Sequence, residues 1–189
     1  FFLYLIFTNI GCDSKRDAIG ADNEIRVICS DIDKDKVESF LKLIFNDSLY
    51  TPEPEPFYLL KFSSPESYSK LKKQTNVVIA AIDRDSSNAG LKLIEKILPE
   101  KQRKNMVSND PIILAKNVHA NHQLFMVINA NSYEHLLGFV DKKRDYIKNN
   151  FNEQFNLRQS RFLFSQNNIN AIRDSLLAEF GWSLDLPWG

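Results

Sequence analysis

The sequence predicts an α/β domain: a mixed sheet covered by helices, with a long helical segment in the second half and α+β as the alternative arrangement. Three observations carry this. Short apolar runs alternate with segments of helical periodicity from residue 24 onward. The run Asn76–Ile82 is almost continuously apolar, as a strand covered on both faces must be. No Gly or Pro interrupts residues 139–180, which leaves room for a long or gently broken helix. Strand order follows from none of these.

The chain of 189 residues, 43% of them apolar and 14 of them Phe, can bury a sizeable core. Its 24 basic and 24 acidic residues cancel. That balance argues against nucleic acid as a partner, because such binding needs a surplus of Lys and Arg. Neither GxGxxG nor GxxxxGK[ST] occurs, so no glycine-rich phosphate loop is available. The two cysteines, Cys12 and Cys29, are too few for a disulfide framework.

Residues 1–11 read as a truncated signal peptide. Phe1–Phe7 is an apolar run far shorter than the roughly 20 residues of a membrane-spanning helix. It softens into Ile10-Gly11-Cys12, which resembles a lipobox, with Cys12 as the lipid-attachment residue. Asn9 departs from that pattern, where an aliphatic residue is usual. Residues 12–22 then read as a lipid-anchored polar tether, too poor in apolar surface to order itself. Residues 23–189 read as the domain, truncated and continuing beyond its C-terminal end.

Within that domain, Glu24–Cys29 is a first strand. Asp35 with Glu38 forms a capping-box pattern ahead of Val37, Phe40, Leu41, Ile44 and Phe45 at helical spacing. The alternate prolines of Tyr50–Pro56 predict an extended connector, and Phe57–Phe62 a second strand. Ser64-Pro65 opens a short helix through Leu71. After the apolar strand, Ser86 or Ser87 caps a helix running from about Ser87 to Leu98, which Pro99 stops. Lys101-Gln102-Arg103-Lys104 reads as a solvated turn.

Two strands follow, Ile112–Lys116 and Gln123–Ile128, joined by the loop 117–122. Asn131 and Glu134 open a helix whose inner face holds Tyr133, Leu136, Leu137, Val140 and Ile147. It extends to about Phe164. A last helix turns Ile169, Ile172, Leu176 and Phe180 inward. Gly181 caps it, and Trp182–Leu186 alternates as a strand.

No catalytic constellation stands out. His119 and His122 have HxxH spacing, but HExxH is absent and the pair falls in a loop, so no metal is expected. Asp83-Arg84-Asp85-Ser86-Ser87 follows the most apolar strand, where loops often hold ligands. Its DxDxS pattern superficially matches a phosphoryl-transfer nucleophile motif, but lacks the second acidic pair that chemistry needs. Cys29, inside a strand pattern, reads as a small buried hydrophobe. No cofactor is implied.

Several segments together resemble an uncharacterised bacterial lipoprotein family, domain of unknown function 4837. They are the cysteine start, Lys15–Gly20 before the first strand, Pro52-Glu53-Pro54-Glu55-Pro56-Phe57, Asn76, Lys116–Gln123 and Phe180–Pro187. His119 stands where that family tends to have Trp. The resemblance covers nearly all of this chain but only the first half or so of a typical member. It implies no activity, substrate or catalytic residue.

These readings converge on a lipid-anchored protein of the bacterial cell envelope, in the inner or outer membrane, that works as a non-catalytic binding domain. Its partners would be the membrane, through the lipid on Cys12, and an envelope protein or ligand. The expected contact surface comprises Pro52, Glu53, Pro54, Glu55, Pro56, His119 and His122. Two alternatives are an envelope hydrolase completed by a further C-terminal half, with Asp83, Asp85, His119 and His122 as first suspects, and a structural subunit of an envelope complex.

Overall fold

The computed structural model describes residues 15–50, 52–164 and 170–183, with the side chains of 170–172 excepted. Cys12 and residues 1–11 lie outside the described residues, as do Ile169 and 184–189.

The fold is mixed α/β, as expected. Strand β1 (Glu24–Cys29) leads into α1 (Asp31–Ile44). A small hairpin, β2 (Ser48–Tyr50) and β3 (Pro54–Pro56), precedes β4 (Leu59–Ser63). A 3-10 turn at Pro65–Ser67 and the short α2 (Tyr68–Leu71) lead to β5 (Asn76–Ala81). Then come α3 (Ala89–Ile97), α4 (Glu100–Ser108), β6 (Ile112–Lys116) and β7 (Leu124–Asn129). Helices α5 (Tyr133–Leu137), α6 (Val140–Leu163) and α7 (Asn170–Phe180) complete the order.

The main sheet has the order β4-β1-β5-β7-β6. Four strands are parallel, and β6 pairs antiparallel to β7 at the edge. Both β5 and β7 are buried along their whole length, because helices cover both faces. Side chains alternate strictly. Ile25, Val27, Val78, Ala80, Met126 and Ile128 face α1, α5 and α6. Ile28, Val77, Ile79, Ala81, Phe125 and Val127 face α3 and Met106 of α4.

Helix α6 is mostly polar and is fixed by one stripe: Ile147, Phe151, Gln154 and Arg158. Phe151 is fully buried, worth about 1.5–3 kcal/mol for a side chain of that size. It meets Phe45 edge-on at 4.8 Å, and Tyr58 at 6.0 Å. Tyr58 also donates to Asn152 Oδ1 at 3.0 Å.

Several expectations change. Residues 15–22 are not a free tether. Ala18 N–H donates to Asn121 O, Asn121 N–H to Arg16 O, and Thr75 N–H to Ile19 O, each at 2.9–3.0 Å. Lys15 Nζ donates to Asn117 O and Val118 O. Backbone pairing orders this polar strap where apolar surface could not.

Helix α1 begins at Asp31, so Asp35 and Glu38 lie inside it rather than at its cap. The proline segment folds back on Ser48–Tyr50 as β3 instead of running on as a connector; a two-stranded ribbon leaves outward-facing positions where proline loses no bond. The basic run belongs to α4. Pro99 ends α3 and occupies the N-cap position of α4, where Glu100 pairs with Lys104 at 2.7 Å. In α7, Leu176 is half-buried and Phe180 is exposed rather than turned inward. Gly181 does cap that helix at φ 72°, and Trp182-Ser183 is not strand.

Candidate functional site

Chain direction fixes where a site can form. After β1 the chain passes to α1 on one face of the sheet; after the neighbouring β5 it passes to α3 on the other. That divergence makes the carboxyl ends of β1 and β5 a topological switch point, the usual ligand position in open α/β sheets.

A buried polar network occupies this position. Asp33 is fully buried on the first turns of α1. Its Oδ1 accepts from Asp83 N–H at 2.8 Å and its Oδ2 from Asn88 Nδ2 at 2.7 Å. Asn88, rather than Ser86 or Ser87, caps α3: its Oδ1 accepts from Gly90 and Leu91 N–H. Ser30 Oγ donates to Asn88 Oδ1 at 2.7 Å and accepts from Gly90 N–H at 2.8 Å. Gly90 has no room for a side chain, since a Cβ there would stand 2.9 Å from Ala80 O.

Asp83 and Asp85 are turn acceptors. Asp83 Oδ1 takes Asp85 N–H, and Asp85 Oδ1 takes Ser87 N–H. The hydrogen bonds from Ser87 hold the Asp85 carboxyl below its usual range. Beside them Arg84 donates to Oδ1 of the buried Asn129 at 2.7 Å. An open cleft of about 380 Å³ adjoins, lined by Arg84, Glu100, Arg103, Lys104, Val107 and Ser108.

Cys29, at the end of β1, is a buried hydrophobe, as expected. Burial first, then Asp33 and Asp31, push its thiol up to about 12.

The histidines lie at the other end of the sheet. His119 Nε2 and Tyr68 OH are 2.8 Å apart, and its ring meets Phe125 edge-on at 5.4 Å. Burial, then Lys72, Lys15 and Lys73, hold its pKa below the ordinary value. His122 sits at φ 59° with Nε2 3.7 Å from Asp17 Oδ1. The two histidines are therefore engaged separately. Among the described residues no group of three or more His, Cys, Asp or Glu converges as a metal site requires.

Because β5 and β7 run parallel, Asp83 and His122 are on opposite edges, separated by a six-residue strand of roughly 20 Å. The suspected hydrolase set Asp83, Asp85, His119 and His122 does not form one site.

The expected contact segments also separate. Pro52, Glu53, Pro54, Glu55 and Pro56 are exposed beside Tyr50, which is 90% exposed. The hairpin base, where Phe57 N–H donates to Asp47 O, adjoins the amino edge of the sheet. His119 and His122 are at that edge too, but they are partly buried in packing.

Sequence reasoning missed Asp33, Asn129 and Arg158. A signal for two of them existed: Asp33 and Arg158 occupy helical positions on otherwise largely apolar stripes. A polar residue held at a core position is bonded to something.

No curated protein and no solved structure matches the chain. The likeness to domain of unknown function 4837 extends, in the comparison with family models, only to an uncharacterised domain under a different description. Residues 18–163 match the model of Domain of unknown function (DUF8532), and the chain belongs to that family.

Proposed function

We propose that this is a lipid-anchored domain of the bacterial cell envelope, of the lipoprotein kind that the resemblance to domain of unknown function 4837 implies, acting by binding rather than catalysis. One observation carries the orientation. The chain is strapped to the amino edge of the sheet from Lys15 onward, three residues after Cys12. Three residues reach about 10 Å, so a lipid on Cys12 holds that edge against the membrane. The carboxyl ends of β1 and β5 then face away from it. The exposed hairpin with Tyr50 and Pro52–Pro56 is the surface we assign to an envelope protein.

The test is the mass of the N-terminal peptide after expression in a bacterium, with Cys12 and with Cys12→Ala. A diacylated or triacylated Cys12, absent from the variant, supports the reading. An unmodified Cys12 in the membrane-free fraction overturns it.

A second reading, a structural subunit, is favoured by apolar exposure at the chain's last helices. Phe162 is 76% exposed, and Leu157, Phe164, Leu177, Phe180 and Trp182 are each 44% or more. Exposed apolar residues scattered singly are ordinary, but these six recur over residues 157–182, and exposed apolar area of this kind marks interaction surfaces. Stable association with an envelope complex that is lost in Phe162→Ser and Leu177→Ser, with folding intact, favours this reading over the first.

A further inference from the structure

The amino-edge cleft at Asp17 and Arg158 is internally neutralised, because Arg158 pairs with Asp22 while His122 and Arg161 both face Asp17. In the carboxyl-edge cleft Lys104 pairs with Glu100 and Arg103 with Glu95, whereas Arg84 has no carboxylate partner among the described residues. Of its lining residues, Arg84, Arg103 and Lys104 are cationic and Glu100 alone is anionic. In a chain of zero net charge, that leaves the Arg84 guanidinium as the uncompensated cation on this cleft, flanked by two further cations. We propose that this cleft binds the phosphate group of a small ligand.

The arrangement is built rather than incidental. Asn129 ends β7 with its side chain fully buried. Its Oδ1 accepts from Arg84 NH1, while its Nδ2 reaches Arg103 O at 3.4 Å. One buried amide thus ties the post-β5 loop to α4, the two walls of the cleft. Arg84 spends only that donor within the protein among the described residues, leaving the rest of a planar fork suited to oxyanions. Arg103 pairs with Glu95 at 3.3 Å, and its buried Nε has no acceptor among the described residues. An unmet buried donor costs free energy, and an anion that draws the guanidinium outward relieves it. The position, beyond the carboxyl ends of β5 and β7, is where open α/β sheets hold ligands.

Phosphate can arrive on a small molecule or on a lipid headgroup. This inference rests on the carboxyl edge alone and stands or falls independently of Cys12. The experiment is calorimetric titration of the full chain carrying Cys12→Ala with inorganic phosphate and with acetate at matched ionic strength. Co-sedimentation with phosphatidylglycerol vesicles runs in parallel. Phosphate is expected to bind at least ten times more tightly than acetate. Arg84→Gln, on an exposed side chain, is expected to weaken it at least tenfold with an unchanged circular dichroism spectrum. Lys42→Gln, on α1, is expected to leave it unaltered. Absence of phosphate binding, or binding indifferent to Arg84→Gln, overturns the proposal. Arg84-dependent binding to vesicles without binding of free phosphate overturns the assignment to a small ligand.

Discussion

Arg158 and Asp22, 136 residues apart in the chain, form a two-point contact. Nε donates to Asp22 Oδ1 at 2.7 Å and NH2 to Asp22 O at 3.0 Å. The same guanidinium reaches His122 O and Asn76 Oδ1. It fastens α6 to the segments that enter β1, β5 and β7. Removing one partner of a buried pair leaves the other uncompensated. Arg158→Leu is therefore expected to lower unfolding free energy by roughly 3 kcal/mol. Asp22→Asn, which keeps the backbone acceptor, should lose about half as much by the same argument. Urea denaturation of the three proteins checks both; an unchanged midpoint in Arg158→Leu would show that α6 is held by its aromatic residues alone.

Three adjacent residues, Ser86, Ser87 and Asn88, are all good helix caps, and the structure uses the third. Asn88→Ala removes the cap of α3, the bond to Asp33 and the contact with Ser30 together. It should cost about 2 kcal/mol, the upper end for a lost cap. Ser87→Ala, on an exposed side chain, should change stability by less than about 0.5 kcal/mol. Thermal unfolding of both variants separates the assignments, since equal losses would mean that local capping, not the buried network, fixes the start of α3.

That case shows what the sequence could convey. Strands β1, β5, β6 and β7 are legible because covered strands leave apolar runs, and the length of α6 because nothing interrupts it. The choice among Ser86, Ser87 and Asn88 is made by Asp33, which is 55 residues away from Asn88 in the chain, so no local pattern could make it. Residues 15–22 look like a tether because their order comes from backbone bonds to Asn121 and Lys73 and from side-chain bonds such as Arg158 to Asp22, whose partners are distant in the chain and leave no local pattern. The anionic-ligand cleft was half visible. Arg84 and Arg103 each stood in segments read as turns, and only the burial of Asn129 brings them to one place.

Gly90 illustrates a close approach that composition hides. Its Cβ-less backbone lets the first turn of α3 lie against Ala80 O and Ser30. In an open helix position Gly→Ala stabilises by about 0.4–1 kcal/mol. Here the added methyl must displace main chain, so Gly90→Ala is expected to destabilise by about 1–3 kcal/mol, as overpacking does. Chemical denaturation gives the sign directly. A stabilised Gly90→Ala would mean that α3 can move away from β5 without loss.

Cys29 supplies a prediction in pH. Its folded thiol is pushed up to about 12 from an ordinary value of 9.0, by burial and then by Asp33 and Asp31. The folded state therefore favours the protonated form. Below pH 9 both states are protonated and the group adds no pH dependence. As pH rises from about 9 toward 12, the unfolded chain ionises first and stability falls. Tyr58, also raised by burial, acts in the same direction at higher pH. Cys29→Ala is expected to flatten part of the alkaline decline between about pH 9 and pH 10.5 in urea midpoints. In the Cys12→Ala background, a disulfide reagent at pH 8 should label Cys29 only as fast as the protein unfolds, because neither thiolate nor access exists in the native state. Rapid labelling of the native protein would instead mean that the carboxyl end of β1 opens to solvent, and with it the network that joins Ser30, Asp33 and Asn88.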